Sequence, residues 1–336
     1  MQHKISVDAM GGDFGPSVTI PASLKILKKY ENISIVVVGN SDEITKILKK
    51  KKSLNHSRIT IHNATQVVGM DELPQIALKN KKDSSMRVSI NLVKEGVVDA
   101  CVSAGNTGAL MATARFVLRM LPGIDRPAIS SELPNANGTT CMLDLGANAD
   151  CTPEQLLQFG IMGSILTNVL HKKNNPSIGL LSNGSESMKG SEVVKKSAEL
   201  FRNSHLNFHG NVEGDDIFKG TTDVVVCDGF TGNISLKTTE GLAQMMANFL
   251  TLEFKRNFLT KISALIALPV LKRFKKRLDP RRYNGASFLG LNGIVVKSHG
   301  GADEFAFIHA LETTISESEN DVISKIKDQL KVESIT

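Results

Sequence analysis

"DVVVCDGFTGNIS", residues 223–235, sets the reading of the whole chain. The run from Val224 to Cys227 is apolar at every position. A strand with one wet face alternates apolar and polar residues, so continuous apolarity suits a strand covered on both faces. The run stops at Asp228, Gly229, Thr231, Gly232 and Asn233, and helix-forming residues follow. A buried strand, a small polar turn and a helix in direct succession are the building unit of an α/β protein.

The same unit recurs outward from this stretch. Apolar runs "ISVDA", "ISIVVVG", "ITIHNA", "DACVSAG", "TTCMLDLG", "SIGLLSNG" and "GIVVKSHG" alternate with helix-period segments such as "SDEITKILKKKK", "TGALMATARFVLRML" and "GSEVVKKSAELFRNS". The βαβα order predicts a mainly parallel sheet with helices on its faces. At 336 residues, the chain is read as one large α/β domain spanning 1–336. Residues 253–284 differ in character. Between 253 and 282, ten Lys or Arg face two acids, interleaved with Phe258, Leu259, Ile262, Leu265, Ile266, Leu271, Phe274 and Leu278 at helical spacing. This segment is expected to project as a basic amphipathic hairpin, broken in two at Pro269.

Six strand ends run into small Gly-rich turns: "VDAMGGDFGP" (7–16), "VSAGNTGAL" (102–110), "LDLGANAD" (143–150), "LLSNGSESMKG" (180–190), "CDGFTGNIS" (227–235) and "KSHGGADEF" (297–305). Turns after the carboxyl ends of parallel strands face one crevice, which predicts a single composite site. Glycines let a ligand approach main-chain N–H groups, and a following helix adds its positive end, a combination that favours an anion such as phosphate. Glycines needed only for tight turns are the competing reading. The candidate binding residues are Asp8, Gly11, Gly12, Asp13, Ser103, Gly105, Asn106, Thr107, Gly108, Asp144, Asn148, Asp228, Thr231, Gly232 and His299.

Lys189 is the cation in an otherwise small, polar turn, suited to a phosphate or a developing oxyanion, or else a solvated lysine at a helix start. Asn233 is placed to donate its amide N–H to a ligand oxygen, or to cap a helix. Asp8, Asp144 and Asp228 are equally suited to tying down turn N–H groups, and His299 to buried hydrogen bonding. The chain lacks GxGxxG, GxxxxGK[ST], HExxH and GxSxG, and has no His/Cys cluster at zinc spacing. No metal and no cofactor are expected.

Lys plus Arg exceed Asp plus Glu by 40 to 34, which suits an acidic partner, an anionic lipid surface or an anionic substrate. The four cysteines form no CxxC pair, so reduced thiols are expected. The N-terminus lacks a signal-peptide core, and "ISALIALPVL" is shorter than the ~20 residues a membrane span needs. A cytoplasmic protein is the expectation.

At these motifs the sequence resembles the acyl-ACP:phosphate acyltransferases (PlsX) of bacterial phospholipid synthesis. The likeness rests on "VDAMGGDFGP", "MDELPQIALKNKKDSSM" (70–86), "VSAGNTGAL", "MLDLGANAD", "MKGSEVVK", "CDGFTGN" and "GLNGIVVKSHGGAD", in family order over nearly the whole chain. The resemblance implies a Rossmann-like α/β/α sandwich related to phosphotransacetylases and to isocitrate and isopropylmalate dehydrogenases. It implies a homodimer that transfers a long-chain acyl group from acyl carrier protein to inorganic phosphate. The family's catalytic lysine falls on Lys189 and its asparagine on Asn233. The basic hairpin, with Leu265, Ile266, Leu271, Lys272, Arg273, Lys275 and Lys276, then faces an anionic membrane, the acidic carrier protein, or both. No nucleic-acid partner is expected. Rival readings are a phosphotransacetylase using short acyl-CoA and a non-catalytic membrane adaptor for the carrier.

Overall fold

Val224 and Val226 point into one hydrophobic core and Val225 into another. Cys141 and Leu143 divide from Met142 in the same way, and Ala100 and Val102 from Cys101. This is the period-two geometry of a strand buried on both faces, and it accounts for runs with no polar position.

The computed structural model describes residues 2–333, with the side chains of 275, 277, 278, 332 and 333 outside that description. Eleven strands form one sheet: β1 His3–Asp8, β2 Ile33–Gly39, β3 Ile59–Asn63, β4 Ala100–Ser103, β5 Ala128–Pro134, β6 Thr139–Leu143, β7 Ile178–Leu181, β8 Phe208–Val212, β9 Val224–Val226, β10 Ala286–Leu289 and β11 Ile294–Lys297. The helices are α1 Pro16–Lys29, α2 Ser41–Lys50, α3 Pro74–Asn80, α4 Ser85–Lys94, α5 Thr107–Leu118, α6 Pro153–His171, α7 Glu192–Arg202, α8 Asp216–Lys219, α9 Gly229–Lys255, α10 Phe258–Leu278, α11 Glu304–Glu319 and α12 Val322–Glu333. Helices α1, α2 and α11 pack on one face of β1, β2, β4 and β11, and α4 and α5 cover the other. Helices α6, α7 and α12 cover β6, β7 and β9. The fold is a mainly parallel α/β sandwich, as the alternation of runs predicts.

Strand order is β3-β2-β1-β4-β11-β10-β5-β6-β9-β7-β8. Strand β10 runs antiparallel to β11 and to β5, and β5 runs antiparallel to β6; the other pairs are parallel. Two reversals at β10 and one more at β5 leave β6, β9, β7 and β8 pointing opposite to β1, β4 and β11. The expectation of one composite crevice is therefore corrected. The turns after β1, β4 and β11 lie at one end of the sheet and those after β6, β7 and β9 at the other.

The hairpin also differs from expectation. Its arms are α9 and α10, and the break falls at Asn257, where Asn257 Oδ1 accepts from Thr260 N at 3.0 Å and Thr260 Oγ1 accepts from Asn257 N at 3.1 Å. Such a reciprocal cap starts a helix cleanly. Pro269 lies inside α10 without ending it. Both Pro269 and Leu265, whose carbonyl the ring abuts, face solvent, so the turn opens outward without disturbing a packed neighbour.

Candidate active site

At the carboxyl ends of β6, β7 and β9, three turns form a single constellation. Asp144 is its organiser. Its Oδ1 accepts from the N–H groups of Ile129, Gly146 and Ala147 at 3.0–3.1 Å, and its Oδ2 from Asn148 N and Nδ2 at 2.8 and 2.9 Å. Burial raises the Asp144 pKa, and the hydrogen bonds from Ala147, Ile129 and Asn148 oppose that rise. Asn148 Nδ2 also reaches Pro127 O at 2.7 Å. Both side chains are committed to holding the turn, the structural role left open for the aspartate in the sequence.

Asp228 caps α9. Its Oδ1 accepts from Thr231 N at 2.8 Å and its Oδ2 from Thr231 Oγ1 at 2.9 Å. The two glycines answer to packing of this helix start on the Asp144 turn: a carbon added at Gly232 would sit 1.9 Å from Asp144 O, and one at Gly229 2.6 Å from Asn148 O. With Asp228 as the cap, Asn233 is released from that duty. Asn233 is exposed in the first turn of α9, against Gly146, with no hydrogen bond to its amide among the described residues. Lys189 is likewise exposed and unpaired among the described residues, its stem lying over Gly184. Asn183 Oδ1 holds the turn by accepting from Gly190 N at 2.9 Å.

Between the starts of α7 and α9 opens a cavity of about 490 Å3. Leu156, Leu180, Leu181, Val193, Val194 and Phe230 supply its apolar walls, with Asp150, Asp228, Thr231 and Ser191 at the polar side. Cys151 and Cys227 also line it. Burial pushes the Cys151 thiol up to about 12 and that of Cys227 well above the ordinary range, so neither is poised as a thiolate nucleophile.

The second group of turns lies at the opposite end of the sheet. Asp8 is buried, and its Oδ2 accepts from Ser103 Oγ at 2.5 Å, which in turn accepts from Gly105 N at 3.0 Å. Burial raises the Asp8 pKa, and among the described residues its Oδ1 has no hydrogen-bond partner. Carbons added at Gly11, Gly12 and Gly105 would meet protein atoms at 2.6–2.8 Å, so these glycines serve close packing of the three turns. Asn106 caps α5 through Ala109 N at 2.9 Å and donates to Met70 O at 2.7 Å, which leaves Thr107 and Gly108 exposed at the helix start. Asp13 N donates to Gly300 O at 2.9 Å. His299 is exposed, not buried, and its Nδ1 accepts from Gly301 N at 3.0 Å.

Sequence reasoning missed Lys297. It is 8% exposed at the end of β11, and its ammonium donates to Ala104 O at 3.3 Å and to Ser298 O. Burial lowers its pKa to about 8, although Asp8 and Asp13 oppose that shift. The available signal was a lysine continuing the fully apolar run "GIVV".

A family profile described as "Fatty acid synthesis protein" matches residues 3–325. A phosphate acyltransferase of Chromobacterium violaceum is 63% identical over 330 residues, covering 98% of this chain and 96% of its own. The chain belongs to the phosphate acyltransferase family. A second phosphate acyltransferase, from Paraburkholderia phytofirmans, is 54% identical over 326 residues, 97% of this chain and 89% of its own. Among solved structures, a phosphotransacetylase from Streptococcus pyogenes superimposes with a TM-score of 0.65 at 16% identity, covering 95% and 94% of the two chains. That likeness shows the shared fold. As a phosphate acyltransferase, the enzyme moves an acyl group to phosphate. No described helix is long and apolar enough to cross a membrane.

Proposed function

We propose that this phosphate acyltransferase takes a long-chain fatty acyl group from acyl carrier protein and delivers it to inorganic phosphate, and that the reaction runs between Lys189 and Asn233. The observation that carries this reading is the pairing, among the described residues, of an uncommitted ammonium and an uncommitted amide beside a largely apolar cavity, while Asp144 and Asp228 are engaged in holding their turns.

In the proposed step a phosphate oxygen attacks the thioester carbonyl carbon. The carbonyl π pair moves onto oxygen, where the Lys189 ammonium and the Asn233 N–H donate to the developing charge. Collapse of that oxyanion breaks the C–S bond, the carrier leaves as thiolate and takes a proton from solvent, and the acyl phosphate departs. No side-chain nucleophile takes part, in keeping with the raised thiols of Cys151 and Cys227.

The hairpin supports the partner side of the reading. Leu265 and Ile266 are 70% and 78% exposed, and Lys272, Arg273 and Lys276 are exposed on the same helix, with Leu271 half-buried. Lys275 lies outside the described side chains. Exposed apolar residues flanked by cations suit the interface of an anionic membrane, and the cations suit an acidic carrier. The reading therefore includes a cytoplasmic enzyme peripheral on the inner membrane face. It also includes a homodimer in which α9, exposed at Leu242, Met245 and Phe249, is covered by a second copy.

The test offers palmitoyl-acyl carrier protein and acetyl-CoA in parallel, with and without phosphate. Phosphate-dependent release of carrier thiol from the long-chain donor supports the reading. Turnover of acetyl-CoA alone replaces it with a phosphotransacetylase-like activity, and no phosphate-dependent thioester loss from either donor revives a non-catalytic adaptor.

A further inference from the structure

The cavity between α7 and α9 has no assigned occupant. We infer that it seats the acyl chain of the donor, and that Val193 and Phe230 at its rim set which chain lengths are accepted; this rests on the Lys189 and Asn233 reading above. Three observations converge. First, the cavity's position fixes what can reach it: its rim includes Ser191, two residues beyond Lys189, and Thr231, two residues before Asn233. The cavity mouth therefore lies on the same two turns that carry the proposed reacting pair.

Second, the walls select for hydrocarbon. Leu156 and Leu180 are buried at the base, and Val193, Val194 and Phe230 stand at the opening. Phe230 is 64% exposed, although large aromatics are ordinarily buried, and it stands in the first turn of α9 one residue before Thr231. An apolar tail passing over it would cover that ring.

Third, the size fits. At about 490 Å3 the cavity lies in the usual range for small-molecule sites. A methylene is similar in size to a water molecule, which takes roughly 30 Å3, so the cavity admits on the order of ten to fifteen carbons. It exceeds the needs of an acetyl group, and each buried methylene adds about fourfold to binding.

The chain contains no Trp, which makes a clean reporter available. In Phe230→Trp, titration with hexadecanoate is expected to give a saturable blue shift and acetate none. In Val193→Trp, an exposed position on the cavity rim, kcat/KM is expected to fall about tenfold or more for a sixteen-carbon thioester. The same variant is expected to change less than threefold for a four-carbon one. Equal effects on both donors, or on neither, overturn the inference, as does a Phe230→Trp signal indifferent to hexadecanoate. Wild-type enzyme inactive on every thioester defeats the Lys189 and Asn233 reading instead, and the fluorescence titration then decides the cavity by itself.

Discussion

Gly232, in the first turn of α9, lies so close to Asp144 that a methyl group in place of its hydrogen would sit 1.9 Å from the Asp144 carbonyl oxygen. The obstacle is backbone, so no rotamer change relieves it. Gly232→Ala is expected to push the start of α9 off the β6 turn, displace Asn233 one residue on, and cost about 2–4 kcal/mol. Thermal unfolding with parallel activity measurement checks this; an unchanged melting temperature would show that the two turns do not pack as described.

Asp144 holds five N–H groups, from Ile129, Gly146, Ala147 and Asn148. Asp144→Ala leaves those buried donors unmatched, an expected loss of about 3 kcal/mol or more, seen as a lower denaturant midpoint. Asp144→Asn keeps acceptor capacity on one oxygen only and should fall between the variant and wild type.

Glu317 on α11 is 2% exposed and accepts from Ser287 Oγ, and burial pushes its pKa up to about 7 from 4.5. The folded state thus holds a proton that the unfolded state releases above pH 4.5. Its contribution is fully present below pH 4.5 and is lost as pH rises toward 7. Glu317→Gln is neutral at every pH and keeps a partner for Ser287. It should match wild type near pH 4.5 and be more stable at pH 8 by on the order of 1–3 kcal/mol. Parallel pH–stability curves for the two proteins would contradict this.

Leu265 and Ile266 are a strongly exposed neighbouring apolar pair in the middle of α10. The double variant Leu265→Glu, Ile266→Glu is expected to abolish flotation with anionic liposomes while leaving turnover of dispersed substrate within about twofold. Equal flotation of the variant would point to another surface.

Much of this fold is legible in the sequence because its strands are buried on both faces. Runs such as Val224–Val226 and residues 35–39 have no polar break, and period two is hidden inside continuous apolarity. Strands β5, β8 and β10 escape that reading. Ala128–Pro134 carries Ser130, Ser131 and Glu132, Phe208–Val212 carries His209 and Asn211, and Ala286–Leu289 is four residues long. Two of these three carry the antiparallel pairings, so missing them turned two separate turn clusters into one. Within the site, Lys189 and Asn233 are visible as residue types, but their freedom from structural duty is not. That emerges only once Asp228 is found capping α9. Lys297 is hidden because a lysine at a strand end ordinarily reaches water, and here the turns at Ala104 and Ser298 close over it.

The account centres on the two free side chains at the start of α9 and before α7, and phosphate-dependent thiol release from a long-chain acyl-carrier thioester by Lys189→Ala and Asn233→Ala tests it most directly. Each variant is expected to keep the wild-type melting temperature and to lose about 100- to 1,000-fold in rate, the effect of removing one oxyanion donor. Folded variants that retain nearly full acyl phosphate formation would contradict it.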